Sequence, residues 1–213
     1  MKRVLLAFLF FQFLFPKLQA QEMWGISNSN YAGSMGLRLN PSAIVGAAYK
    51  YDINFVALDI FAQNSYVYVP KSEFVLFKAI GGNLGSERIT EDNFNGKNHN
   101  AFAHLLVIGP SYIHNKETTA WGLQSAYRNE QSILKAPSHL SKFIYEKYQY
   151  PEGYGIRNVS DPFSVAWLDW VEIGGTYGKV LRESEYAYLK AALSVNVLLG
   201  FNGSYMKVNT FDY

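Results

Sequence analysis

YAYLKAALSVNVLLGF, residues Tyr186–Phe201, alternates along its whole length. In an extended chain, successive side chains point to opposite faces. One side therefore carries Ala187, Leu189, Ala191, Leu193, Val195, Val197, Leu199 and Phe201, and the other carries Tyr186, Tyr188, Lys190, Ala192, Ser194 and Asn196. Strands of soluble sheets usually run to about 5–6 residues. A strand that crosses a bilayer needs roughly 9–11, with an apolar outward side and a mixed or polar inward side. This stretch is long enough for the second case. A sandwich strand also alternates, so the opening of the chain matters.

Residues 1–20 have the three regions of a secretory signal peptide. Lys2 and Arg3 are followed by an apolar run from Val4 to Phe15, broken only by Gln12, and then by Pro16 and Leu18–Gln19–Ala20. A spanning helix needs about 20 apolar residues, more than this run offers. Ala20 supplies the small residue before a cut, which predicts Gln21 as the mature N-terminus. An uncleaved anchor is the alternative, because Leu18 is large for its position. The chain contains no cysteine, so it has neither a lipidation site nor disulfides, and stability must come from burial and sheet pairing or from a bilayer.

Residues 21–213 are of ordinary size for one domain. Aromatic residues make up 16% of the chain, led by 16 tyrosines, as expected of barrels that place rings at both membrane interfaces. The net charge of +2, with no basic cluster, gives no footing for nucleic acid.

Met23–Val45 is rich in Gly, Ser and Asn and reads as a folded, irregular segment. Tyr49–Ala62 reads as a first long strand whose apolar side switches after Phe55, the mark of a bulge or second buried face. Ser65–Val69 is expected to return as its partner, and residues 71–100 read as a polar loop. Ala101–His114 and Ala120–Asn129 read as a hairpin joined by Asn115–Thr119. His139–Tyr150 reads as a helix with Ser138 as N-cap, ended by Pro151 and Gly153. Phe163–Val180 is a long aromatic-rich strand, turned by Arg182–Glu185 into the stretch quoted above, and Gly203–Tyr213 begins another. That makes roughly seven strands, whereas a closed bacterial barrel has an even number from about 8 upward.

Asn30–Tyr31–Ala32–Gly33, Gly36–Leu37, Asn40–Pro41–Ser42–Ala43 and Lys50–Tyr51–Asp52–Ile53–Asn54 carry a family resemblance. It continues through Gly109–Pro110–Ser111, Tyr150–Pro151, Ala166–Trp167, Glu172–Ile173–Gly174, Leu198 and Gly200. On these motifs the chain resembles an uncharacterised family of Bacteroidetes outer-membrane proteins, known as a domain of unknown function. The resemblance implies an outer-membrane β-barrel, of which residues 21–213 are the N-terminal part, since members are usually longer. Asn40, Pro41 and Ser42 are also similar to a step near the mature N-terminus of fatty-acid-transporter-type barrels, where the preceding segment plugs the lumen. That likeness implies a plug at Met23–Val45. A tight turn before a strand is the other reading of Asn40–Pro41.

Chemistry is sparse. His99, His104, His114 and His139 have no recognised metal spacing, although His104 and His114 are expected on one side of a strand. Gly81–Gly82–Asn83–Leu84–Gly85–Ser86 lacks the Lys–Ser/Thr of a phosphate loop. No nucleophile elbow or acid pair appears, and Asp52 and Asp59 are expected on opposite sides. The residues therefore name no catalytic group, metal or cofactor. Asp52, Asn54, Lys190, Ser194 and Asn196 are the candidate lumen-facing residues.

The resulting expectation is an all-β fold: an antiparallel transmembrane β-barrel portion with a plug-like segment and one inserted helix. It is non-enzymatic, sits in outer-membrane lipid, and passes small or apolar solutes or holds an envelope partner protein. The competing expectation is a soluble exported β-sandwich that binds a protein or carbohydrate.

Overall fold

The computed structural model describes residues 26–27, 29, 32–70, 90–149, 155, 159, 161–210 and 212. The signal peptide and the Gly81–Gly85 segment lie outside the described residues. Among the described residues nine strands form: β1 (Tyr51–Asn54), β2 (Ala57–Asn64), β3 (Val67–Tyr68), β4 (Glu91–Asp92), β5 (His99–Ile108), β6 (Ser111–Lys116), β7 (Thr119–Ala136), β8 (Phe163–Ser184) and β9 (Ala187–Val208). An α-helix, α1, spans Ser138–Tyr145. Among the described residues no helix is long and apolar enough to cross a membrane.

The main sheet is an antiparallel up-and-down meander. β1 pairs β6 while β2 pairs β5, and both β5 and β6 pair β7, so β1–β2 and β5–β6 are each one span with a break in it. β8 then pairs β7 and β9. The order is five successive spans, with β1–β2 on one edge and β9 on the other. This corrects the expected count of about seven. Ser65–Val69 does not return along the first span; β3 pairs β4 in a separate small sheet. Gly203–Tyr213 begins no new strand either, because β9 continues without a turn to Val208.

Three local irregularities explain the differences. Proline cannot donate to a ladder, and β5 and β6 part at Gly109–Pro110. Opposite them, Phe55 and Val56 separate β1 from β2. Each break shifts the alternation by one residue. Asp52 and Asp59 therefore share a face despite their odd separation, and His104 and His114 face opposite ways. On β9, Asp169 pairs Asn202 and Trp170 pairs Gly200, which leaves Phe201 as an extra bulge residue rather than a strand end.

The turns sort by end. Glu117–Thr118 joins β6 to β7, with Glu117 in the left-handed region (φ 48°), and Glu185–Tyr186 joins β8 to β9, later than the expected Arg182–Glu185. The long connections, which carry β3–β4 and α1, lie at the opposite end. α1 is shorter than expected: Pro137 occupies the N-cap, and Lys147 and Tyr148 enter positive φ before Pro151 is reached.

Two 3-10 turns, Gly33–Arg38 and Pro41–Ile44, pack on one face of the sheet. Leu37, Ile44 and Val45 meet Ile113 and Ala120 in a buried cluster, while Leu106, Ile108 and Ala126 form a second cluster against Met35. Each fully buried Leu, Ile or Val contributes about 1.5–3 kcal/mol, so these clusters hold the irregular segment on the sheet.

Candidate functional site

The two faces of the meander differ in kind. Residues 32–45 cover one, referred to below as the covered face; the other is the open face. Across the hydrogen-bonding direction the open face shows a row Tyr51–His114–Trp121–Tyr177–Leu193. The next row is Ile53–Tyr112–Leu123–Gly175–Val195, and farther along comes Leu58–Val107–Tyr127–Val171–Leu199. Rings stack within the first row, Tyr51 lying 4.8 Å and Trp121 5.8 Å from the His114 ring. Leu193 (72% exposed), Val195 (64%) and Val197 (57%) are open to the surroundings on this face. Contiguous apolar patches this long are rare on soluble monomers.

Polar residues bound this surface. Thr119 pairs Lys179 near the short turns. Toward the long loops, Asn129 pairs Asp169, whose carboxylate accepts hydrogen bonds from Asn129 Nδ2 and from Trp167 Nε1 (2.9 Å).

Beyond the residues that the 3-10 turns bury, the covered face is mixed, with polar and charged groups beside exposed Leu168 and Leu198. All five residues expected to face a lumen lie there. Asp52 Oδ1 accepts from the Ser34 amide at 2.8 Å, and Asn54 Nδ2 donates to the Gly109 carbonyl at 3.4 Å. Lys190 Nζ donates to the Val45 carbonyl at 3.0 Å. The Ser194 and Thr176 hydroxyls are 2.7 Å apart, and Asn196 Oδ1 accepts from Gln124 Nε2 at 3.2 Å. Pro41 opens a 3-10 turn, with the Ser42 hydroxyl donating to Asn40 Oδ1 at 2.8 Å. Asn40–Pro41 thus sits well before the first strand, inside the segment that packs on the sheet. Gly46 follows in the left-handed region (φ +68°), where a Cβ would come within 2.4 Å of the Tyr188 hydroxyl.

Sequence reasoning missed the ionic centre of this face. Glu172 on β8 joins Arg38 of the first 3-10 turn to Arg128 of β7 (Nε to Oε1 3.0 Å), and it also accepts from Trp170 Nε1 at 2.8 Å. Asp59 and His104, on the same face, lie 3.5 Å apart. The available clue was Arg38 itself, a charge inside an otherwise neutral Gly/Ser/Asn segment.

At the long-loop end, Lys142 of α1 reaches both Asp92 oxygens at 3.1 Å, and the Tyr66 hydroxyl donates to Asp92 at 2.9 Å. Burial opposes the Asp92 charge, yet these hydrogen bonds prevail and hold its carboxyl below the usual range. Burial and the bond to Asp92 both push the Tyr66 phenol up.

Among the described residues, no group of three or more metal-ligating side chains converges. No protein-family model, curated protein or solved structure matches the chain.

Proposed function

We propose that the chain is a non-enzymatic outer-membrane β-barrel domain, with the open face toward lipid and the covered face toward a lumen plugged by residues 32–45. One observation carries this reading: the open face is apolar and aromatic between Lys179 and Asp169 of β8 and polar at both limits. For a strand rising about 3.3 Å per residue and tilted about 40°, that interval is about 25 Å high, the height of the apolar band on outer-membrane barrels. Short turns at one end and long connections at the other agree with the usual asymmetry of such barrels. Closure requires strands that pair the β1–β2 and β9 edges, since an open edge in lipid leaves backbone groups unsatisfied. The family resemblance points the same way.

The charged and polar groups of the covered face favour passage of small or apolar solutes over a purely scaffolding role. A soluble sandwich would need a second sheet over the open face; among the described residues the only other sheet is the two-residue pair β3–β4. Fractionation of the native cells, followed by gel mobility of the detergent-extracted protein with and without boiling, tests the reading. Outer-membrane recovery with heat-modifiable mobility is expected. Recovery in the soluble periplasmic fraction would overturn it.

A further inference from the structure

At the long-loop end, α1 folds back over the open face and roofs a cleft of about 440 Å³, within the roughly 300–1,000 Å³ of small-molecule sites. Leu140 and Ile144 of the helix face Ile133, Phe163 and Val165 of the sheet across it. A second cleft of about 340 Å³ shares Ile133 and Val165 with the first and continues to Trp167, toward the apolar rows of the open face.

One residue of the cleft wall carries a buried polar atom without a partner. His99 is only 4% exposed and lines the wall. Its Nδ1 lies 3.1 Å from the Ser65 carbonyl, and the Tyr66 ring meets it edge-on at 4.8 Å. The Ser65 hydroxyl, 3.3 Å from the same nitrogen, donates to the Asn100 carbonyl at 3.4 Å, and the Ser65 carbonyl can only accept, so the proton is assigned to Nδ1. In the neutral ring Nε2 is then an acceptor, and it has no hydrogen-bond partner. A buried acceptor left unmade is costly, whereas supplying its donor is favourable.

We propose that this cleft binds a neutral aliphatic molecule with a single hydroxyl or amide N–H donor. The chain lies against Leu140, Ile144, Ile133 and Val165, and the donor bonds His99 Nε2. Carboxylates and phosphate diesters, which only accept, are disfavoured at that atom. The site is independent of the membrane reading, because described residues form it whatever medium meets the open face.

The test is displacement of 1-N-phenylnaphthylamine from the full chain, held in amphipol without free detergent, by 1-decanol, decane or decanoate. Decanol should compete at about tenfold lower concentration than decane, the cost of one unmade buried hydrogen bond, with decanoate weaker than decanol. His99→Leu should erase the decanol advantage while decane still binds, and Ile144→Trp should fill the cleft and abolish displacement by all three. Decane equal to decanol, or decanoate as strong as decanol, on the unaltered protein would overturn the proposal even if a variant failed to fold. Displacement that survives Ile144→Trp in a protein with unchanged far-ultraviolet circular dichroism would overturn it too. A soluble location in the cell would instead remove the membrane reading and leave this ranking unchanged.

Discussion

Glu172→Gln should release residues 32–45 from the sheet. The glutamate lies between two guanidinium groups, and its side chain is 10% exposed against 13% for each arginine. After the substitution Arg38 and Arg128 both lose the Glu172 charge, while Arg128 retains Glu130 at 3.8 Å. Removing one member of a buried pair costs about 3–5 kcal/mol, and the residual exposure here lowers that to about 3. At 1.4 kcal/mol per tenfold, the detached population of the segment rises about a hundredfold. The chain has no cysteine, so Ser34→Cys makes a clean reporter: Ser34 is 2% exposed and its hydroxyl has no hydrogen-bond partner. Reaction of that thiol with a small water-soluble reagent should accelerate about a hundredfold in the Glu172→Gln background. Arg38→Leu combined with Glu172→Leu should recover part of the loss, since no unmatched charge is then left on the segment. An unchanged labelling rate in Glu172→Gln, alongside faster labelling in Leu37→Ala, would refute the reasoning, because apolar packing alone would then hold the segment.

Three other outcomes are expected. Gly178→Val should loosen the same segment by about 1–3 kcal/mol, because a Cβ there would come within 2.5 Å of Val45 Cγ2; the Ser34→Cys labelling rate measures it. Val195→Arg on the open face should cost about 2–4 kcal/mol in a bilayer and reduce the heat-modifiable form in outer membranes, whereas Ser194→Ala on the covered face should leave it intact. The junction between α1 and β3–β4 should be pH-dependent at both extremes. Asp92 titrates below its ordinary value of 3.8, so its contribution is full above that pH and is lost as pH falls through the lower folded value. Lys142 titrates above its ordinary 10.5: burial works against its charge, but its bonds to Asp92 and Glu146 prevail. Its contribution is therefore full below pH 10.5 and is lost as pH rises through the higher folded value. Amide exchange in α1, corrected for intrinsic rates, should be flat between about pH 5 and 10 and rise outside that window.

The long periods were legible in the sequence. Ala191, Leu193, Val195, Val197 and Leu199 do share one face, and Lys190, Ser194 and Asn196 share the other, because side-chain alternation is fixed by backbone geometry. What failed was phase. A bulge at Phe201 resembles a strand end, and the breaks at Phe55–Val56 and Gly109–Pro110 reverse every inference drawn across them. His104, Asp59 and His114 were misplaced for that reason. The ionic centre was illegible for another: Arg38, Arg128 and Glu172 lie far apart in the chain, and only the register of β7 with β8 and the docking of the 3-10 turns bring them together. The cleft beneath α1 likewise depends on where a helix folds back, which no local pattern specifies.

The central claim is that the open face meets lipid and the covered face does not. Spin labels placed singly at residues 193 through 199 of β9, in the protein folded in bilayers, test it most directly by their collision rates with oxygen and with a water-soluble nickel complex. The account predicts opposite alternation: oxygen access high at Leu193, Val195, Val197 and Leu199, nickel access high at Ser194 and Asn196. Uniformly high nickel access at Val195 and Val197 would contradict it.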